Sequence, residues 1–243
     1  MLAKLRAWLL TAPLIVLLTA ICGTISWLLA LADRSGRMPH GVARVWARLL
    51  LAVSGVRVRV EGLENISPEG AYVFASNHLS LMDTPLVLAN IPVQFRFLAK
   101  RSLYRVPFIG SHLRRAGHIP VERQDPRAAL RTLGEAARIV RQRGVSVLVF
   151  PEGSRSRGPL GEFKPGAAYI AIKAGVPLVP LAIRGTAEIL PAGSLTVRPG
   201  EARLRVGRPI PTTGFGVHDH TRLTGLLRER IGELLGERAC TPA

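Results

Sequence analysis

The longest apolar stretch of the chain lies near its amino terminus. Residues 8–32 carry no charged side chain, and as a helix they are long enough to cross the ~30 Å hydrocarbon layer of a bilayer. Trp8 and Trp27 lie near the two ends, where interfacial anchors are found. A cleaved signal peptide is the alternative, but its apolar region is normally shorter. We therefore expect an uncleaved membrane segment that either spans the bilayer or lies in one leaflet.

A second helix is predicted over residues 38–54, after a break at Ser35-Gly36. An ordinary amphipathic helix packed on a domain and an interfacial helix with arginines at lipid headgroups both explain its pattern. The apolar face is expected to comprise Val42, Val45, Trp46, Leu49 and Leu50, and Arg44 and Arg48 lie on another face. More arginines follow the apolar segment than precede it, so a spanning segment would leave the rest of the chain in the cytoplasm.

From residue 56 onward, short strands alternate with helices. The strand-like segments are 56–60, 71–75, 94–99, 118–121, 145–150, 177–183 and 202–206. Helices are predicted near residue 84 and over 126–143, 164–175 and 219–237, with glycine or proline at several of their ends. This alternation predicts a layered α/β domain. We divide the chain into membrane-anchoring helices (1–54) and one folded domain (55–243).

Composition narrows the class of partner. Apolar residues make up 48% of the 243 residues, which excludes a disordered chain. The two cysteines, Cys22 and Cys240, are far apart, so neither a disulfide framework nor a metal site is expected. The formal charge of +17 implies an anionic partner, namely nucleic acid, a phosphorylated small molecule or a bilayer surface. The mean hydropathy of +0.25 favours the bilayer, and the few scattered aromatic residues do not favour nucleic acid.

The first candidate for chemistry is the segment 77–83 (NHLSLMD), between a buried strand and a helix. On one helix, His78 and Asp83 would point about 140° apart, so they can meet only if the chain turns between them. A histidine held by a carboxylate is a general base, since the ordinary pKa of imidazole is about 6.5. The alternative is that Asp83 only caps the next helix.

Further candidates lie after other strands. The segment 150–156 (FPEGSRS) offers backbone N–H groups, a hydroxyl and a guanidinium to an anion such as phosphate, and Lys164 adds a cation nearby. Lys100 and Arg101 lie beside one strand end, and Arg123 follows another. Each of these cations could equally be solvated.

In order and spacing, these segments resemble the glycerolipid acyltransferase family, and within it the 1-acyl-sn-glycerol-3-phosphate (lysophosphatidic acid) acyltransferases. The family's N-H-x4-D block matches residues 77–83, and its G-x-x-F-x-x-R block matches residues 117–123. Its F-P-E-G-T-R-S and V-P-x-V-P blocks match residues 150–156 and 176–180. The chain departs from the family at Pro120, Glu122 and Ser154, where Phe, Asp and Thr are usual.

The resemblance implies a glycerol-3-phosphate-acyltransferase-like α/β domain with an N-terminal membrane-associated segment. It makes His78 the catalytic base and Asp83 its partner, with no metal ion and no covalent nucleophile. The residues that it assigns to substrate binding are Lys100, Arg123, Glu152, Gly153, Ser154 and Arg155.

The implied reaction is acyl transfer to the sn-2 hydroxyl of 1-acyl-glycerol-3-phosphate, giving phosphatidic acid. The co-substrate would be acyl-CoA or acyl carrier protein, without a further cofactor. The enzyme would work at the cytoplasmic face of the inner membrane, with the bilayer and lysophosphatidic acid as partners and no nucleic acid. Alternatives are another acceptor (glycerol-3-phosphate, another lysophospholipid or a lyso-aminolipid) and a non-catalytic basic membrane protein that binds lipid or nucleic acid.

Overall fold

The amino-terminal segments form two helices packed side by side. The computed structural model describes residues 5–33, 35–121, 125–156 and 158–236. A π-helical turn (Ala7–Thr11) continues into α1 (Ala12–Ala32), and α2 (Arg37–Val53) follows. The continuous helix Ala7–Ala32 is long and apolar enough to cross a membrane.

Helix α1 presents small and polar side chains to the protein and large apolar ones outward. Thr11, Cys22 and Ser26 are buried, whereas the exposed side chains include most of the leucines and isoleucines of the helix. The Trp46 indole N–H of α2 donates to Thr19 Oγ1 at 3.0 Å. Because its larger side chains point away from the protein, α1 retains an apolar surface that water solvates poorly.

The buried face of α2 differs from the predicted one. Side chains of Ala43, Ala47, Leu50 and Leu51 are buried in a core cluster, but Val45 and Leu49 are exposed. The alanines allow α2 to approach α3 (Asp83–Asn90) closely, which a pattern of large apolar residues does not reveal. Packing of α2 on the domain is therefore confirmed, and the interfacial position with arginines at lipid headgroups stays a prediction. The domain boundary at residues 54/55 stays a prediction.

A seven-stranded mixed sheet lies at the centre of the fold. Its strands are β1 (Val56–Glu61), β2 (Val73–Ser76), β3 (Phe95–Lys100), β4 (Ile119–Val121), β5 (Ser146–Val149), β6 (Leu178–Arg184) and β7 (Gly200–Val206). They are ordered β1-β7-β6-β2-β5-β3-β4, and all neighbouring pairs are parallel except β6 and β7. The seven predicted strands are confirmed with shifts of one or two residues at most of their ends.

Helices cover both faces of the sheet. The remaining helices are α4 (Ile109–Arg115), α5 (Pro126–Arg143), α6 (Gly166–Ala174), α7 (Thr186–Ile189) and α8 (His220–Leu235). One core cluster joins α2 and α3 to the sheet, and the other joins α5, α6 and α8 to the opposite face. The short helices α4 and α7 were not predicted, because neither is long enough to show helical periodicity.

The strand order brings the candidate segments to one edge. Strands β2, β5 and β3 are parallel neighbours, so the loops after them leave the sheet at the same side. Open α/β sheets place their ligand sites at the carboxyl ends of the strands. Residues 77–82, 150–156 and 101–105 therefore share one edge of the sheet.

Candidate active site

The segment after β2 turns so that His78 and Asp83 meet. His78 Nδ1 lies 2.7 Å from Asp83 Oδ2. The Asp83 side chain is fully buried, and the His78 side chain is 15% exposed. Since the carboxylate accepts, Nδ1 carries the imidazole proton, and Nε2 keeps the lone pair that can take a proton from a substrate.

The Asp83 carboxylate accepts three further hydrogen bonds. The backbone N–H groups of Leu79 and Ser80 donate to Oδ2 at 2.6 and 2.8 Å, and Thr186 Oγ1 donates to Oδ1 at 2.6 Å. These donors supply hydrogen bonds to both oxygens of a fully buried side chain, which would be costly to leave without partners. Asp83 is the first residue of α3, and its side chain binds the preceding loop without capping the helix. The helix-cap interpretation is therefore wrong.

Thr186 is a site residue that the sequence did not indicate. It lies 103 positions from Asp83, at the start of the four-residue helix α7 after β6. Asn77 connects the same two regions, since its side-chain amide donates to Ile183 O and accepts from Ile183 N. The loop that carries His78 is thus fixed to the end of β6.

Phe150 and Glu152 hold His78 from the other side. The His78 and Phe150 rings stack with centroids 4.1 Å apart and an angle of 18°. The His78 backbone N–H donates to Glu152 Oε1 at 2.8 Å, and Ser156 N–H donates to His78 O at 2.9 Å. The Glu152 carboxylate therefore connects the loop after β5 to the loop after β2.

Some of the other candidate anion-binding residues lie beside Gly153. Gly153 has a φ of +75°, and a Cβ there would lie 3.1 Å from Lys164 Nζ. Ser154 and Arg155 are exposed on the same loop. Lys100 is exposed at the end of β3, while Arg123 lies outside the described residues. Among the described residues, no group of three or more His, Cys, Asp and Glu side chains could hold a metal ion.

An apolar cavity of about 440 Å³ begins beside His78. It lies between the sheet and helices α1 to α4, and its lining includes Trp46 of α2, Phe97 of β3, and Cys22 of α1. Lys100 and His78 are also lining residues. A cavity of this volume and lining suits an apolar ligand of about the size of a drug molecule or larger.

Two histidines line the cavity on the α4 side, the half-buried His112 and the buried His118. His112 Nδ1 is 2.7 Å from Ser26 Oγ, and His118 Nδ1 accepts from the Phe97 backbone N–H at 2.8 Å. Burial, with the Arg96 guanidinium as the next cause, lowers the pKa of His112 to about 4. Burial also lowers the pKa of His118 well below its ordinary value. Both imidazoles are neutral at pH 7, so they keep this wall free of charge.

Known proteins resemble this chain along most of its length. A 1-acyl-sn-glycerol-3-phosphate acyltransferase of Brassica napus chloroplasts is 36% identical over 174 residues, which is 70% of this chain and 50% of that protein. One from Pseudomonas aeruginosa is 29% identical over 222 residues, covering 89% and 85%. The chain spans about half the length of the Brassica protein and of a similar Arabidopsis thaliana protein.

A solved structure and a family model agree with these relatives. The crystal structure of the 1-acyl-sn-glycerophosphate acyltransferase PlsC from Thermotoga maritima superposes with a TM-score of 0.82 at 27% identity, and 99% of each chain is covered. This agreement confirms the predicted α/β fold class. The family model described as Acyltransferase matches residues 57–184, which include Asp83 and the loops after β2, β3 and β5. The chain therefore belongs to the acyltransferase family.

Proposed function

We propose that this protein transfers an acyl group to the sn-2 hydroxyl of 1-acyl-glycerol-3-phosphate, giving phosphatidic acid. The observation that carries the proposal is the His78–Asp83 pair at one end of an apolar cavity. The names of the relatives support the acceptor. The pair supplies a base, and the cavity supplies space for an acyl chain.

His78 Nε2 takes the proton of the 2-hydroxyl as the oxygen attacks the thioester carbonyl carbon. The carbon–oxygen bond forms, and the carbonyl becomes a tetrahedral oxyanion. When the oxyanion collapses, the carbon–sulfur bond breaks, and the imidazolium returns its proton to the leaving thiolate. Asp83 holds the Nδ1–H tautomer and stabilises the imidazolium, which is the role of the carboxylate in hydrolase triads.

The acceptor's phosphate is assigned to the loop around Gly153. The Arg155 guanidinium and the Ser154 hydroxyl are exposed there, and the Lys164 ammonium stands beside Gly153. Arginine suits phosphate because its donors match two oxygens at once. Lys100 and Arg123 are proposed as further cations of this site. Glu152 contributes indirectly, by holding the His78 loop.

The donor is proposed to be an acyl thioester, either acyl-CoA or acyl carrier protein, and no further cofactor is required by the steps above. The outward apolar face of α1 supports attachment to a bilayer. The excess of arginines after α1 supports the cytoplasmic face of the inner membrane as the location.

The test is acyl transfer from labelled oleoyl-CoA by detergent-solubilised protein. Parallel reactions contain 1-acyl-glycerol-3-phosphate, glycerol-3-phosphate or lysophosphatidylcholine, and a second set replaces oleoyl-CoA with oleoyl-acyl carrier protein. We expect labelled phosphatidic acid with the first acceptor alone. Product only with another acceptor would replace the substrate and keep the chemistry, and no product with either donor would overturn the proposal.

Two variants assign the residues. His78→Ala should abolish transfer while the chain still folds and unfolds cooperatively, whereas His218→Ala, at an exposed position, should be fully active. Arg155→Ala should raise the acceptor KM, whereas Arg131→Ala, on the exposed side of α5, should not. Full activity of His78→Ala would contradict its role as base.

A further inference from the structure

Three exposed apolar side chains lie at the opening of the cavity. The 3₁₀ turn Arg101–Arg105 follows β3, and Val106, Pro107 and Phe108 lead into α4; we call residues 101–108 the mouth segment. Leu103, Val106 and Phe108 are 41%, 38% and 45% exposed. Leu103 and Phe108 also line the cavity, so they border both the cavity and the solvent.

Phe108 is held in an unusual backbone conformation. Its φ of +60° is the only positive value at a non-glycine position among the described residues. The Ile109 N–H donates to Pro107 O at 2.6 Å across it, forming a γ-turn of the rare, strained kind. Bulky residues adopt such conformations where the surrounding structure enforces them, often at functional sites. The turn keeps a large apolar ring partly in solvent.

The mouth segment is continuous with the apolar surface of α1. A Cβ at Gly23 of α1 would lie 2.7 Å from Phe108 Cβ, so the two backbones are in close contact. Arg115 of α4 places its guanidinium 5.0 Å from the centre of the Trp27 ring of α1. The outward face of α1 and the mouth segment therefore form one apolar surface beside the cavity.

Positive charge surrounds this surface. Arg101, Arg105, Arg114 and Arg115 are exposed, and the chain has no acidic residue between positions 101 and 115. An apolar patch flanked by arginines is complementary to a bilayer whose surface carries anionic headgroups.

We propose that the mouth segment is a second membrane-contacting surface, which inserts Leu103, Val106 and Phe108 into the leaflet that holds α1. The cavity then opens directly to the lipid phase, and a lysolipid reaches His78 without passing through water. This inference deepens the proposed function and rests on it for the identity of the lysolipid. The lipid contact itself does not depend on the reaction.

A site-directed fluorophore tests the contact directly. The full chain with Cys22→Ala and Cys240→Ser, which removes both native thiols, carries a bimane label at Val106→Cys. It is mixed with vesicles of phosphatidylcholine and phosphatidylglycerol in which some of the acyl chains are brominated. The matched control is Leu130→Cys, an exposed leucine of α5 on the opposite face of the sheet. We expect brominated lipid to quench the label at position 106 and not at position 130. Equal quenching at both positions, or none at position 106, would overturn the proposal.

Kinetics with two acceptors test the route of the lysolipid. The variant Val106→Ser changes the one exposed apolar side chain of the three that does not line the cavity. Its KM for a long-chain acceptor in vesicles should rise by about three- to tenfold, because an apolar contact with lipid is lost. Its kcat and KM for a water-soluble hexanoyl acceptor should equal those of the parent.

The outcomes separate the two proposals. An unchanged KM in vesicles would overturn the membrane route. If the parent transfers acyl groups to no glycerolipid acceptor and the label at position 106 is still quenched, the proposed function fails and the lipid contact stands.

Discussion

Acidification should destabilise this protein through histidines that are buried and neutral in the folded state. His40 of α2 is buried, its Nε2 has no hydrogen-bond partner, and its ring packs edge-on against Phe95 at 5.1 Å. Burial, followed by the charges of Arg96 and Arg44, lowers the pKa of His40 to about 3. His118 is similarly buried and has its pKa lowered well below the ordinary value.

The sign and the size follow from proton linkage. In the unfolded chain each imidazole takes a proton below about pH 6.5, whereas the folded state excludes it until the pH approaches the lowered pKa. The stabilisation is therefore complete above pH 6.5 and is lost as the pH falls below it. His40 and His112, whose pKa values are lowered to about 3 and about 4, each lose about 2 kcal/mol of stabilisation by pH 5, and together they lose about 4 kcal/mol. His118 acts in the same direction.

This loss is a large part of the stability of an ordinary domain, about 5–15 kcal/mol. For a chain of this length, a loss of about 4 kcal/mol corresponds to a fall in Tm of about 8–16 °C between pH 7.5 and pH 5. The measurement is thermal unfolding of the detergent-solubilised protein across that range. His40→Leu should remove about 4–8 °C of the fall, and the exposed His218→Ala should not alter it. A constant Tm, or an unaltered fall in His40→Leu, would refute the reasoning.

Three further substitutions probe the site. Thr186→Val removes a hydrogen-bond donor from the buried Asp83 carboxylate, so kcat should fall about 10- to 100-fold with little change in KM. Thr186→Ser keeps the hydroxyl and should restore kcat. A fully active Thr186→Val would contradict the role of Thr186 in positioning Asp83. Asp83→Asn favours the wrong imidazole tautomer, and steady-state assays should show kcat reduced by about a thousandfold or more. Gly153→Ala places a Cβ at positive φ against Lys164. Thermal unfolding should show a free energy of unfolding lower by about 1 kcal/mol, and steady-state kinetics should show a higher acceptor KM.

Local signals predicted much of the fold. Helix α5 was predicted from Pro126 at its start and Gly144 at its end. The structure confirms both ends, with Gly144 at a φ of +61°, and adds the Asp125 side chain as a cap of the first turn. The alternation of valine and arginine in β1 predicted a strand with one exposed face, as observed. The strand order was not predictable, because the antiparallel insertion of β7 beside β6 depends on contacts between distant segments.

In the site, too, contacts between residues near each other in sequence were predictable and contacts between distant segments were not. Asp83 follows His78 by five positions, and the turn between them was expected from the loop between strand and helix. Thr186 and Phe150 contact this pair from the segments that follow β6 and β5. Nothing in the sequence around either residue identifies it as a partner of the pair. The resemblance to the family indicated which segments form the site, but it did not indicate that Thr186 and Phe150 contact His78 and Asp83.

The hydrogen bond between Asp83 and Thr186 also sets an order of events during synthesis. The two residues are 103 positions apart, which at ordinary elongation rates is a delay of about 5–20 s. During this interval the carboxylate has water in place of its threonine partner, and β6 has not joined the sheet. Helix α1 precedes both residues in the chain and is free to meet the bilayer first. With the proposed attachment, the chain can therefore meet its bilayer before the His78–Asp83 pair has its full set of hydrogen bonds.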